Sequence, residues 1–106
     1  MAERMQHIVL FQFPSELSED DERQMFATVR SWPEEIGGFT ALRIGRDVSG
    51  RSRGYQYALF VEFESKAAAD KYFPHPVHVA FSDWVHERDC QVLAFDYPLD
   101  SNSVIV

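Results

Sequence analysis

A single cysteine, Cys90, stands in the whole sequence, which excludes an internal disulfide and any multi-cysteine metal site; its place in a strand-like run suggests a packed, inert thiol. Basic residues are also scarce. Ten Lys and Arg against seventeen Asp and Glu leave a net charge of −7, and a nucleic-acid partner would need a concentrated basic surface instead. The one basic cluster, Arg43, Arg46, Arg51 and Arg53, surrounds a turn-like stretch and is partly offset by Asp47. Long apolar runs are missing too. The opening "MAERMQHIVLFQF" puts charged residues before a short apolar segment and offers neither a cleavage site nor a membrane span, so a cytoplasmic protein with no membrane partner is expected. Only five glycines occur, and "GRDVSGRSRG" lacks both the glycine spacing and the following helix of a phosphate-binding loop. No nucleophilic triad, dinucleotide fingerprint, internal repeat or linker is visible, and no cofactor is implied.

What is present suits one domain spanning residues 1–106, since 106 residues build one modest core but not two. "HIVLFQF", residues 7–13, is β-branched and aromatic and stops at Pro14, so it reads as a strand. A helix follows, with Ser18 as N-cap, acidic Glu19, Asp20 and Asp21 in its first turn, and Met25, Phe26, Val29 and Trp32 on one face. Pro33 and the two glycines after it are expected to end that helix. "FTALRIGRDV" and "YQYALFVEF" form a hairpin around "VSGRSRG". Ser65 caps a second helix over "KAAADKYF", which yields at Pro74, and Pro76 opens a short continuation carrying Val77, Phe81, Trp84 and Val85. "CQVLAFDY" is the last strand, and an apolar-ended tail, residues 98–106, follows a core of about 5–97. The order is therefore βαββαβ with an added half-helix, an α+β ferredoxin-like fold with a four-stranded antiparallel sheet.

Both alternating sets of the first strand are apolar: Val9, Phe11 and Phe13 on one side, Ile8 and Leu10 on the other. The last strand repeats this with Val92 and Ala94 against Leu93 and Phe95. Two helices cover only one sheet face. A homodimer through the other face, making a dimeric α/β barrel, is the simplest way to bury it.

Chemistry concentrates in "KYFPHPVHVAF", residues 71–81. Histidine exchanges protons near neutral pH, while tyrosine stays protonated and can donate to an oxygen. Tyr72 and His78 therefore suit enolisation beside a carbonyl, with His78 as base and Tyr72 steadying the oxyanion. His7, on the strand face with Val9 and Phe11, falls at the edge of the same space, and Asp96 can orient an imidazole. Phe11, Phe26, Val29, Leu42, Leu59 and Val92 would line the gap between sheet and helices, which favours an apolar, carbonyl-rich ligand. Other readings exist for the same residues. His75, between two prolines, suits a helix N-cap, and Tyr72 suits a helix core. His75 and His78 also form an H-x-x-H pair to which His7 or Asp96 could add a third ligand, but that spacing alone is weak, and no metal is assigned. His86 is expected on the solvent side.

Taken together, "HIVLFQF", "IGRDVSG", "GYQYALFVEFES" and "YFPHPVHVAF…FDY" resemble the stress-responsive dimeric α/β-barrel (Dabb) family over about residues 5–97. Within it they resemble the polyketide cyclases of olivetolic acid cyclase type, which close a linear polyketide thioester by an aldol condensation without a cofactor. That resemblance implies catalytic roles for Tyr72 and His78, supporting roles for His7 and Asp96, and a pocket-lining pair at Met25 and Phe26. Two positions depart from the cyclase pattern: Tyr57 stands where the cyclases carry a histidine, and Met25 replaces an aromatic. Other members of the family resemble non-catalytic stress or ligand-binding dimers, and haem or quinol monooxygenases share only the fold.

Overall fold

The computed structural model describes residues 3–106 and contains seven elements: β1 (Met5–Gln12), α1 (Glu19–Glu35), β2 (Phe39–Arg46), β3 (Tyr57–Phe63), α2 (Lys66–Tyr72), α3 (Pro76–His86) and β4 (Gln91–Pro98). The four strands form one antiparallel sheet in the order β2-β3-β1-β4. This is the expected ferredoxin-like arrangement, with the second crossover split into two helices. Among the described residues no helix is long and apolar enough to cross a membrane.

α1 begins as its sequence requires. Ser18 holds an extended backbone, and its Oγ accepts from the Asp21 N–H at 3.1 Å, which satisfies one of the orphan donors of the first turn. Pro33 does not end the helix, contrary to expectation. It lies in the last turn, where a missing N–H costs one bond, and the helix runs on to Glu35. The stop comes at Gly37 and Gly38, with φ of +78° and +85°, after the N–H groups of Ile36 and Gly37 have both turned back to the Trp32 carbonyl. Gly38 is needed for a second reason: a Cβ there would sit 2.9 Å from that of Ala68.

β1 starts two residues earlier than expected and β3 two residues later. Gln56 is diverted from a strand role, because its N–H bonds the Phe11 carbonyl at 2.8 Å and its side-chain oxygen accepts from the Phe13 N–H at 2.7 Å. The tail turns back on β1: Leu99 N–H reaches the Arg4 carbonyl at 2.8 Å, and Asp100 pairs with the Arg4 guanidinium at 2.6 Å. Cys90, half-buried before β4, has its thiol pushed up to about 11 by burial, as befits an inert packing group.

Strand alternation then divides the residues. Val9, Phe11, Phe13, Leu59, Val61 and Phe63 point under the helices and are buried with Met25, Val29, Trp32, Tyr72, Phe81 and Val85. The opposite face carries Ile8, paired in register with Phe60 on one side and Phe95 on the other, and Leu10, paired with Leu93. There Leu93 is 49% and Phe95 63% exposed. Large apolar side chains thus remain on a face that no helix among the described residues covers.

The corner after α2 fixes the site. Ser65 caps α2 through Ala68 N–H at 3.1 Å. Pro74 cannot continue a helix. His75 then serves as the N-cap of α3, its Nδ1 accepting from Val77 N–H at 3.1 Å, with Pro76 in the first turn. Tyr72 closes one helix and His78 lies in the first turn of the next, a geometry set by two prolines and one capping imidazole.

Candidate active site

Tyr72 and His78 face one another across that corner, their ring centroids 4.2 Å apart. Tyr72 has no exposed surface, and its hydroxyl has no hydrogen-bond partner among the described residues. Burial, followed by the charge of Asp96, raises its pKa well above the ordinary tyrosine value. It is therefore a proton-bearing donor throughout the physiological range.

His78 Nδ1 lies 3.0 Å from the Phe73 carbonyl. A carbonyl only accepts, so Nδ1 carries the hydrogen, and in the neutral ring the lone pair sits on Nε2. Burial lowers the pKa of His78 below its ordinary value; the Phe73 carbonyl opposes this, and the neighbouring His7 and His75 reinforce it. A neutral imidazole with a defined acceptor nitrogen is the form a general base requires.

His7 stands opposite Asp96 in the β1–β4 register, and its Nδ1 hydrogen-bonds the Asp96 carboxylate. The carboxylate accepts, so Nδ1 is again the donor and His7 is held in one tautomer. Its ring packs edge-on to Tyr72 at 6.0 Å and Phe73 at 5.2 Å between centroids. His7 is buried, whereas the Asp96 side chain is 49% exposed. Asp96 thus joins a wet edge strand to the inner face.

Tyr72, His78 and His7 line a recess of about 170 Å³, with Asp96 behind His7. Phe11, Leu59 and Val92 lie on its wall, joined by Phe81, Val85 and Ala94, and by two polar residues, Ser82 and His86. His86 is exposed, as expected, and its ring also borders the recess. Its spacing of four from Ser82 and eight from His78 was the signal, because those intervals keep one helix face.

Other expected site residues lie elsewhere. Met25 is a core residue at 1% exposure, and Phe26, Val29 and Leu42 line a separate groove between α1 and β2. Phe26 packs on Tyr57 of β3 and borders β2, whereas Trp32, farther along the same α1 face, is the residue that reaches Tyr72 and His78 at the α2–α3 corner. Tyr57 also fails to reach the recess: its ring packs on Phe13 and Phe26, and its hydroxyl donates to Glu22 at 2.8 Å. Burial and that carboxylate push Tyr57 up to about 12. His75 is a cap whose ring borders a cleft with Gly37, Gly38 and Lys71. Among the described residues no three His, Cys, Asp or Glu side chains are grouped to hold a metal ion.

A family model described as the stress responsive A/B barrel domain, Dabb, matches residues 5–99. The chain belongs to the Dabb family. Its sequence is 28% identical over 102 residues, 94% of each chain, to the stress-response A/B barrel domain-containing protein HS1 of Arabidopsis thaliana. Among solved structures it is similar to the hydroxynitrile lyase of Passiflora edulis, with a TM-score of 0.82, 20% identity, and 98% and 100% of the two chains covered. It is also similar to a dimeric ferredoxin-like protein of unknown function from Jannaschia sp. CCS1, with a TM-score of 0.75, 26% identity, and 91% and 99% covered. At 20% identity the likeness to the lyase shows the fold alone. In this Dabb chain the site must be read from its own side chains, and those are an imidazole with one accepting nitrogen, a buried phenol and a tethered second imidazole.

Proposed function

We propose that this Dabb protein is a cofactor-independent acid–base catalyst acting on a small, apolar carbonyl compound. The observation that carries the reading is the pairing of a neutral His78, its Nε2 free to accept, with a buried Tyr72 hydroxyl that has no partner among the described residues. In the step that follows, Nε2 takes a proton from the carbon next to the carbonyl, and the C–H electron pair moves onto the carbonyl oxygen. Tyr72 O–H donates a hydrogen bond to that oxygen and keeps its own proton. Reprotonation of the enolate by His78 at another carbon gives an isomer. Attack of the enolate on a second carbonyl gives a new C–C bond and an alkoxide that receives the same proton. No oxidant or cofactor enters either balance.

The resemblance to polyketide cyclases supports this chemistry but not their substrate length. A recess of about 170 Å³ falls below the roughly 300–1,000 Å³ usual for drug-sized ligands. The substrate is accordingly a small molecule, or one end of a longer one. The reading includes a homodimer joined through the apolar sheet face, supported by exposed Leu93 and Phe95 and by the dimeric relative. It also includes a cytoplasmic location, supported by the unpaired Cys90 thiol.

The test is hydrogen–deuterium exchange at the α-carbon of a panel of small ketones and 1,3-diketones, followed by proton NMR. Wild-type protein is expected to accelerate exchange of at least one compound, with His78→Gln abolishing the acceleration. Exchange that survives His78→Gln, or that no compound shows, defeats the proposal. A second reading, a non-catalytic dimer binding an apolar metabolite, draws on the complete burial of Tyr72 and the small recess. Trp32, 5.5 Å from Tyr72 between centroids, would report such binding by fluorescence, unchanged in His78→Gln.

A further inference from the structure

The recess has polar groups at both ends. Tyr72 and His78 form one end, and Ser82 and His86 line it from farther along α3. Residues 78, 82 and 86 are spaced by four, so each step turns about 40° and rises about 6 Å, which keeps all three near one helix face. Phe81 and Val85, on the adjoining stripe, are buried. His86 Nδ1 lies 2.7 Å from the Ser82 carbonyl. That carbonyl can only accept, so Nδ1 is the donor, the ring folds back along α3 toward His78, and Nε2 is the acceptor of the neutral ring. Ser82 Oγ lies 3.3 Å from the same Nδ1, a hydroxyl that can both donate and accept. Between the two ends the wall is hydrocarbon, from Phe11, Leu59, Val92 and Ala94.

We propose that Ser82 and His86 form a specificity pair for a hydroxyl group carried by the substrate at the end opposite its carbonyl. The inference rests on the reading of this recess as the substrate site. A hydroxyl suits the pair because it can donate to His86 Nε2, while Ser82, beside Nδ1, helps hold the ring in the tautomer that leaves Nε2 accepting. A carboxylate has no proton to donate, and the chain's net charge of −7 disfavours an anion. Eight residues of helix put the two α-carbons about 12 Å apart, and because both rings fold back along α3, His78 toward Phe73 and His86 toward Ser82, the rings keep about that spacing. A contact of about 3 Å to the substrate at each end leaves about 6 Å between the substrate's own reacting carbon and its hydroxyl, room for one six-membered ring. The substrate class is therefore a hydroxylated ketone or aldehyde with a short, flat apolar body.

His86 is exposed, so replacing it leaves the core intact. The probes are 4-hydroxyphenylacetone and its deoxy counterpart phenylacetone, with binding followed by the ring-proton resonances of His78. Both are expected to shift His78 in wild-type protein, the hydroxylated probe binding about tenfold tighter, the discrimination available from one additional paired hydroxyl. His86→Leu and Ser82→Ala should each bring the ratio toward one without weakening phenylacetone. His86→Gln, whose amide oxygen can accept, should keep part of the preference, an outcome that a merely structural role would not produce. If both probes shift His78 but bind equally to wild type, or if the preference survives His86→Leu, the specificity pair is refuted while the site stands. If neither probe moves His78, the site reading and the pair fall together.

Discussion

Replacing Tyr72 by phenylalanine removes one oxygen atom and should make the protein more stable while making it less active. The ring is held on all sides, with Phe63, Phe73, Trp32 and Phe39 centroids at 4.9, 5.1, 5.5 and 5.9 Å, and phenylalanine keeps all of that packing. The hydroxyl contributes no bond to the described residues, yet it has been taken out of water. A buried, unpaired hydroxyl costs about 1–3 kcal/mol. Tyr72→Phe should therefore gain about 1 kcal/mol or more, and a domain of this size responds with a rise in Tm of roughly 4–8 °C per kcal/mol. Urea denaturation and thermal melts, run at pH 7.5 and one fixed protomer concentration because a dimer's stability depends on it, give the first reading. α-Carbon exchange gives the second, and a loss of about tenfold or more is expected if the phenol stabilises the enolate. A fall in the denaturation midpoint would refute the reasoning, because it would mean that the hydroxyl makes a structural hydrogen bond. A gain in stability with unchanged exchange would remove Tyr72 from the chemistry.

Three further outcomes follow from the geometry. His78 titrates below the ordinary histidine value chiefly because of burial, so the unfolded chain binds its proton more readily. Its contribution to stability is full above about pH 6.5 and is lost as pH falls through the lower folded value; exchange activity should share that acid limb, and an NMR titration midpoint at or above 6.5 would contradict both. Phe95→Glu, on the uncovered face where Phe95 is 63% exposed, should leave a folded monomer by sedimentation, and a dimer of unchanged strength would show that another surface mediates assembly. Gly38→Ala combines a φ of +85° with a 2.9 Å approach to the Ala68 Cβ and should cost about 1–3 kcal/mol, whereas Gly45→Ala, with nothing within 4 Å, should be close to neutral by the same melt.

The elements were legible because their signals are local. Ser18 and Ser65 cap where a side-chain oxygen can reach an N–H three residues on, and the strands announce themselves by alternation that one sheet must obey throughout. The misplaced boundaries share a cause of another kind. Pro33 breaks a helix only where its missing N–H and its ring matter, and in the last turn of α1 they matter little. Gln56 looks like strand sequence, but its side chain spends its hydrogen bonds on the Phe13 backbone, a tertiary partner that no local window contains.

Site residues divided along the same line. Tyr72, His78, His7 and Asp96 came together because two devices align them: a local, proline-bounded corner, and a β1–β4 register, set by alternation and strand order, that places His7 against Asp96. Met25, Phe26, Val29, Leu42 and Tyr57 share the inner layer with them but belong to its other end, because the order β2-β3-β1-β4 puts β2 and β4 on opposite edges. Facing the core is a property of one residue's periodicity, whereas facing the same recess depends on strand order. His86 shows the converse: exposed as its position suggests, it still borders the recess, because eight residues along α3 bring it back near the face of His78. Each of these imidazoles has its Nδ1 committed to a fixed acceptor, Phe73 O for His78, Asp96 for His7 and Ser82 O for His86. Three rings on one recess are thus held in the tautomer that leaves Nε2 as the acceptor when neutral. A core that needed only volume would not have to fix the tautomer of its histidines, and that shared bias is the strongest physical reason to treat the recess as chemistry rather than packing.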